Sequence, residues 1–266
     1  MHEIVKVAIR AARAGGDVIQ RGANQLSSLK IEQKSLHDYV SEVDRDSENA
    51  IRETILSNFP EHQIIGEEYG VVGENTCVQW VIDPLDGTTN FLRAIPHYAV
   101  SIGVMVDASL EHAVVFDPAK NELYRASRGE GAFLNDARIQ VSNIESVRGG
   151  LYSTGVPYSG DNLAEVDSFT ATMLGVLSSE TSGLRRLGAA ALDLAYVAAG
   201  RYDGFWEANL QIWDIAAGAL LVQEAGGVVS DLHGRNQYLS SGDIVAASPK
   251  AHSELVKISS DNYRRP

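Results

Sequence analysis

The chain has a single cysteine, Cys77, among 266 residues. No intrachain disulfide can form, and zinc or iron–sulfur sites built on cysteine are excluded. That usage fits a reducing compartment. Long apolar runs are missing too. None reaches the ~18 uncharged residues of a membrane-spanning helix. The N-terminal MHEIVKVAIRAARAGG is interrupted by Glu3, Lys6, Arg10 and Arg13, unlike the core of a signal peptide. The expectation is a cytoplasmic protein without a membrane partner. Basic residues are scarce: 22 Lys and Arg face 35 Asp and Glu, a net charge of −13. Such a chain repels phosphate backbones and makes a poor general binder of nucleic acid. The acidity suits cations, and it is also common in soluble proteins. With 44% apolar and 21% charged residues, the chain is globular rather than disordered.

Several reaction classes lack their signatures. There is no G-x-x-x-x-G-K-[ST], hence no P-loop, and no G-x-S-x-G elbow for a hydrolase nucleophile. The seven histidines are scattered, with no H-E-x-x-H, and read as surface or core residues. Gly129-Glu130-Gly131 lacks the third glycine of a dinucleotide fingerprint. Asp83 and Asp86 stand three apart, whereas the aspartyl-phosphate motif D-x-D-G-T needs acids two apart.

Periodicity predicts helices over 2–20, from Ser41 to about 58, and over 163–179, 189–199, 214–225 and about 250–259. Gly15 and Gly16 weaken the first, and the tail NYRRP is expected to fray. Strand-like runs lie at 62–66, 78–82, 98–106, 112–117, 121–127, 151–155 and 244–248. The simplest arrangement is one α+β domain over 1–266, with two layered halves meeting near residue 150.

The sharpest feature is Asp83-Pro84-Leu85-Asp86-Gly87-Thr88-Thr89-Asn90-Phe91, directly after the strand-like VQWVI. Pro84 removes a backbone donor and Gly87 frees the chain to turn. Amides of 87–89 opening a short helix behind two carboxylates would suit a metal plus a phosphate. The competing reading is an Asp-Gly surface turn with two solvated acids. Gly66-Glu67-Glu68 follows another strand-like run, and Trp213-Asp214 opens an apolar helix. Singly, Glu67 reads as a surface acid and Asp214 as a helix cap. Three acid clusters at three element boundaries form a stronger pattern, able to converge on hard cations.

The segments W80-V-I-D-P-L-D-G-T-T-N-F91 and W213-D-I-A-A-G218…E224-A-G-G227 resemble the two signatures of the inositol monophosphatase family, magnesium-dependent and lithium-sensitive phosphatases. The likeness spans nearly the whole chain, and RRLGAAALDLAYVAAGRYDGFWE (185–207) is similar to bacterial members, some of which act in ribosomal RNA transcription antitermination. The resemblance implies a layered α/β/α/β/α sandwich of the inositol monophosphatase and fructose bisphosphatase type, usually a homodimer. It implies two magnesium ions: Glu67, Asp83 and the Leu85 carbonyl hold the first, and Asp83, Asp86 and Asp214 the second. A third, weakly held ion sits near Glu67.

Asp44, Glu67 and Thr88 form the implied catalytic set, Thr88 positioning the attacking water together with Asp44. Lys34 and Asp38 match a loop near the outer metal. Gly87 and Thr88 amides bind the phosphate, and Ala190, Glu207, Asp86 and Asp214 contact the substrate. Arg185 matches a substrate-proximal position in the bacterial branch, or lies at a dimer or partner surface. The implied reaction is hydrolysis of a small phosphomonoester, first of all inositol 1-phosphate, by metal-activated water. The alternatives are another small sugar or nucleotide phosphate, or a binding role with transcription elongation and antitermination factors.

Overall fold

The computed structural model describes residues 1–26, 31–35, 38–74, 76–156 and 163–263. Helix α1 (Glu3–Ala23) buries Val5, Val7, Ala8, Ala11, Ala12 and Ile19, the helical spacing read from the sequence. It runs unbroken through Gly15 and Gly16. A Cβ at either would strike Ile51 and Ser47 or Phe116, so these glycines allow a close approach that offsets their helix cost of about 1 kcal/mol each. A hairpin of β1 (Ile31–Ser35) and β2 (Asp38–Ser41) leads into α2 (Glu42–Leu56).

Eight strands build the first sheet: β3 (Gln63–Gly66), β4 (Gly70–Val72), β5 (Val78–Asp86), β6 (Ala99–Val106), β7 (Ser109–Asp117), β8 (Glu122–Ser127), β9 (Gly131–Leu134) and β10 (Ala137–Ile139). Their order is β10-β9-β8-β7-β6-β5-β3-β4, antiparallel except for β3 against β5. The short helix α3 (Thr88–Leu92) lies between β5 and β6. The second sheet contains β11 (Leu151–Thr154), β12 (Gly183–Arg185), β13 (Gly204–Glu207), β14 (Val228–Ser230) and β15 (Ile244–Ala247), ordered β12-β11-β13-β15-β14. The remaining helices are α4 (Leu163–Ser178), α5 (Ala190–Ala198), α6 (Ile212–Glu224), α7 (Tyr238–Ser241) and α8 (Pro249–Asn262).

Helices α1 and α2 cover one face of the first sheet. Helices α5 and α6 fill the space between the sheets, and α4 and α8 cover the far face of the second. This is the α/β/α/β/α sandwich. Its middle layer explains two alanine-rich helices: every residue of Ala190–Ala198 is buried, and so are Ile215–Val222. A helix enclosed on both sides needs small apolar residues all round. Three apolar clusters fill the four interfaces: one around Trp80 under α1 and α2, one around Phe205 on both sides of the middle helices, and one around Trp206 under α4 and α8.

Three details differ from the sequence expectations. β5 continues through the Asp83–Asp86 segment instead of stopping before it. α6 starts at Ile212, so Asp214 stands in its first turn rather than ahead of it. Tyr263 is buried against the α8 layer rather than frayed, because it joins the cluster around Trp206; residues 264–266 lie outside the described residues. Among the described residues, no helix is long and apolar enough to cross a membrane.

Candidate active site

The end of β5 is anchored from within. Trp80 is fully buried, and its Nε1 donates to His62 Nδ1 at 3.0 Å. Beyond Ile82 the pairing with β6 shifts between Asp83 and Asp86. Pro84 lies in that interval and has no N–H for the ladder. The freed loop is held by side chains. Asp83 Oδ1 accepts from the Leu85 amide at 2.9 Å, and the Ser47 hydroxyl of α2 donates to Pro84 O at 2.9 Å. Gly87 then turns into α3 with φ +92°, packed so that a Cβ would stand 3.0 Å from His97 O.

Each further acid reaches this loop from a different element. Glu67 follows β3, its amide bonded to Ile82 O at 3.2 Å, and its charge bears on Asp83 and Asp86. The turn carrying it is shaped by Glu48, a fully buried α2 residue whose carboxylate accepts from the amides of Glu68 (2.7 Å) and Tyr69 (3.3 Å). Asp214 is not the N-cap, which is Gln211, but it caps from the third position of the helix. Its Oδ2 accepts from the Gln211 amide at 2.7 Å in a capping box, and its carboxyl also hydrogen-bonds Asp83. Ser101 pairs opposite Asp83 on β6 and donates to Trp213 O at 3.1 Å, fixing α6 against the first sheet. Asp86 Oδ2 accepts from the Ala191 amide at 2.7 Å, with Ala190 and Leu192 amides also directed to it. Ala190 is therefore at the site through its backbone.

Thr88 Oγ1 lies 2.9 Å from Asp44 Oδ1 and 3.1 Å from Leu85 O, and Asp44 is buried in the first turn of α2. Glu207 ends β13 with its carboxyl turned into the protein, where the charges of Asp214 and Asp86 bear on it. Arg185 is exposed and donates to Leu184 O at 3.0 Å. It is Arg186, not singled out in the signature comparison, whose charge acts on Glu207 and on the buried Asp193. Lys34 and Asp38 belong to the β1–β2 hairpin, and their side chains lie outside the described residues.

Sequence reasoning missed Glu48, Ser101, Asp193 and Arg186. Glu48 had a readable sign: an acid on the apolar face of an amphipathic helix. Ser101 and Asp193 had none, because their partners lie in distant segments.

Burial raises the carboxyls of this cluster and mutual repulsion adds to it. Asp83 is raised well above the ordinary aspartate range, by burial first and then by Glu67, Asp86 and Asp214. Burial pushes Asp86 up to about 7 despite its amide partners. Asp214 rises to about 7 through burial and the charge of Asp86. Glu207 rises to about 8 through burial and Asp214. Burial and mutual repulsion both disfavour several negative charges here, and a divalent cation would supply the positive charge that offsets them. The donors are all oxygens, which suits magnesium rather than zinc. Among the described residues no three acidic, histidine or cysteine side chains form a ready-made metal cage. The fit therefore rests on charge, burial and donor type.

The chain matches the Inositol monophosphatase family over residues 1–263. It is 48% identical over 259 residues to a Pseudomonas aeruginosa protein called Nus factor SuhB, covering 96% of this chain and 95% of that one. The crystal structure of the extragenic suppressor protein suhB from Bartonella henselae superposes with a TM-score of 0.94 at 38% identity, covering 98% of this chain and 100% of the other. An inositol monophosphatase from Anabaena superposes with a TM-score of 0.85 at 34% identity, covering 98% and 96%. The layered fold and a carboxylate site at the end of β5 define a phosphatase-type α+β sandwich. The chain belongs to the inositol monophosphatase family.

Proposed function

We propose that the protein hydrolyses small phosphomonoesters with magnesium, and that inositol 1-phosphate is the first substrate to test. The observation that carries the reading is the meeting of Asp83, Asp86 and Asp214 beside the Thr88–Asp44 contact. Glu67, Asp83, Asp86, Asp214 and the Leu85 carbonyl are the groups to hold two ions, with a third, weaker one near Glu67. When bound, the metal supplies charge neutralisation for the phosphate and a bound water of lowered pKa.

The chain's own residues do the rest. Asp44 accepts from the Thr88 hydroxyl, which fixes Thr88 Oγ1 and leaves its lone pairs to orient a water. The Leu85 amide holds one oxygen of Asp83, and the amides of α5 hold Asp86, so neither carboxylate needs to reorganise when substrate arrives. Gly87 and Thr88 start α3 beside these acids and contact the phosphate in this reading. Ala190 and Glu207 face the alcohol, Glu207 accepting from a polyol hydroxyl. Arg185 belongs to the same reading as a substrate-proximal group, and Lys34 and Asp38 as the loop near the outer metal. A homodimer, lithium inhibition and a cytoplasmic location complete it.

The test is phosphate release from inositol 1-phosphate during a magnesium titration, with Asp86→Asn as control. Release that requires magnesium and disappears in the variant supports the reading. Folded wild-type protein that releases nothing from this or other sugar and nucleotide phosphates defeats it.

The names of the relatives favour a second role, binding to the transcription antitermination machinery. A pulldown with transcription elongation factors reads it directly. Retention by Asp86→Asn would make binding independent of catalysis, and no retention by the wild type would remove the role.

A further inference from the structure

Asp193 lies in the first turn of α5, three residues past Ala190, and is 1% exposed. Its Oδ1 closes no hydrogen bond of normal geometry among the described residues. The Ser153 hydroxyl of β11 stands close enough to favour the carboxylate, yet Ser153 Oγ is also without a properly placed partner. A buried acid left with open hydrogen-bonding capacity costs stability unless another requirement keeps it there.

Strand register shows which side of the second sheet faces α5. β11 runs parallel to β13, with Ser153 opposite Phe205 and Thr154 opposite Trp206. Side chains alternate along a strand, so Ser153, Phe205 and Glu207 share one side of the sheet. That is the side covered by α5, since Phe205 packs in the same cluster as the α5 residues and Trp206 in the other. Glu207 lies directly over the backbone of Gly155, where any Cβ would land on its carboxyl. Glu207 also borders a small cavity with Gly155, Thr172, Trp206 and Leu232, on the side of the sheet covered by α4 and α8. On the other side α5 packs against both β11 and β13, and the charge of Glu207 bears on Asp193.

We propose that Asp193 is the positioning residue that confines Glu207 for contact with the alcohol part of the substrate. This rests on the phosphatase reading and names a determinant of its specificity. One helical turn then serves both ends of the site. Its amides hold Asp86 at the phosphate end, and its fourth side chain holds Glu207 at the alcohol end. Removing Asp193 should impair recognition of hydroxyl-rich alcohols and spare the bond-breaking end.

The experiment compares wild type, Asp193→Ala, Asp193→Asn, Glu207→Gln and the double variant Asp193→Ala/Glu207→Gln. Two substrates are used: inositol 1-phosphate and phenyl phosphate, whose alcohol carries no further hydroxyl. Asp193→Ala should raise KM for inositol 1-phosphate about five- to tenfold with kcat within about twofold, and leave phenyl phosphate within about twofold. Asp193→Asn, which keeps the shape, should recover part of the loss. On the Glu207→Gln background, Asp193→Ala should add nothing further. Equal losses on both substrates, or additive losses with Glu207→Gln, overturn the proposal. If Asp193→Ala does not fold, Asp193→Asn carries the same comparison. If the wild type turns over neither compound, the phosphatase reading has failed. The urea-unfolding midpoints of the same variants then decide: additive midpoints overturn the pairing of Asp193 with Glu207, and non-additive midpoints retain it.

Discussion

The Asp86 carboxylate accepts a 2.7 Å hydrogen bond from the amide of Ala191, joining the end of β5 to the first turn of α5. The contact links the first sheet to the middle helical layer and gives Asp86 two functions. It caps a helix whose amides favour negative charge, and it adds one negative charge to a crowded cluster. Asp86→Asn keeps an oxygen for the amides and removes the charge. The expected result is a metal-free melting temperature equal to or above that of the wild type, with magnesium-dependent phosphate release lowered at least about 100-fold. Thermal melts in chelator, run beside the release assay, check both halves. A strongly destabilised variant would mean that the cap outweighs the repulsion.

The Thr88–Asp44 contact makes a different prediction, because in the proposed reading it positions a water rather than holding an ion. Thr88→Ala should lower kcat by about 10²-fold with KM changed little, and Thr88→Ser should keep most of the activity. Asp44→Ala, which removes the acceptor, should resemble Thr88→Ala, and the double variant should be no worse than either single one. Steady-state kinetics of the four proteins settles it; a multiplicative double variant would show that the two residues act separately.

The long helices and the strands β3, β5, β6, β7, β8, β11 and β15 were legible because the helices carry strong periodicity and these strands are bounded by turn residues, whereas their layering followed only from the family resemblance. Alanine-rich 189–199 and 214–225 read as helices, although nothing local reveals that both lie between two sheets. The strands β4, β10, β12 and β14, three residues each, were not legible, since so short a segment has no periodicity to detect. The extension of β5 through Pro84 was missed for a related reason: proline reads as a strand terminator, and only the shifted register with β6 accommodates it. At the site, Asp83, Asp86 and Glu67 stood out by spacing and position. Asp193 did not, because α5 is apolar on every side and offers no polar face against which one buried acid stands out. Arg185 and Arg186 are adjacent and chemically alike, and only the chain's path distinguishes the one whose charge bears on Glu207.

The raised carboxyls make metal-free stability depend on pH. Asp86 and Asp214 are pushed up to about 7 and Glu207 to about 8, against roughly 4 for these groups in an unfolded chain. With folded values above unfolded ones, the folded state binds more protons between the two. Their contribution is fully present below about pH 4 and is lost as pH rises through 7 to 8. Melting temperatures in chelator should therefore fall between pH 5.5 and 8.5. Magnesium binds the deprotonated carboxylates, so its stabilising effect should be larger at pH 8 than at pH 5.5. Calorimetric scans at the two pH values, with and without magnesium, read the four combinations. An equal magnesium shift at both pH values would place the metal away from these carboxyls.

Gly87 offers the sharpest test of how the β5 loop is built. Its φ of +92° suits glycine and strains any residue with a side chain, at about 1–2 kcal/mol. A Cβ there would also stand 3.0 Å from His97 O and 3.3 Å from Ala189 Cβ, between the β6 approach and the start of α5. His97 O is held by the Asn90 side chain at 2.9 Å, and Asn90 also reaches Leu187 O at 2.7 Å, so that side cannot retreat freely. Gly87→Ala should then cost about 2–4 kcal/mol of stability, the backbone strain and the overpacking together. Any folded fraction should also lose phosphate release more than tenfold, because turning Gly87 displaces Asp86 on one side and Thr88 on the other. Urea unfolding and the release assay on the same preparation separate the two effects. A variant as stable and active as the wild type would show that the loop relaxes around a side chain, and that the turn at Gly87 does not set the positions of Asp86 and Thr88.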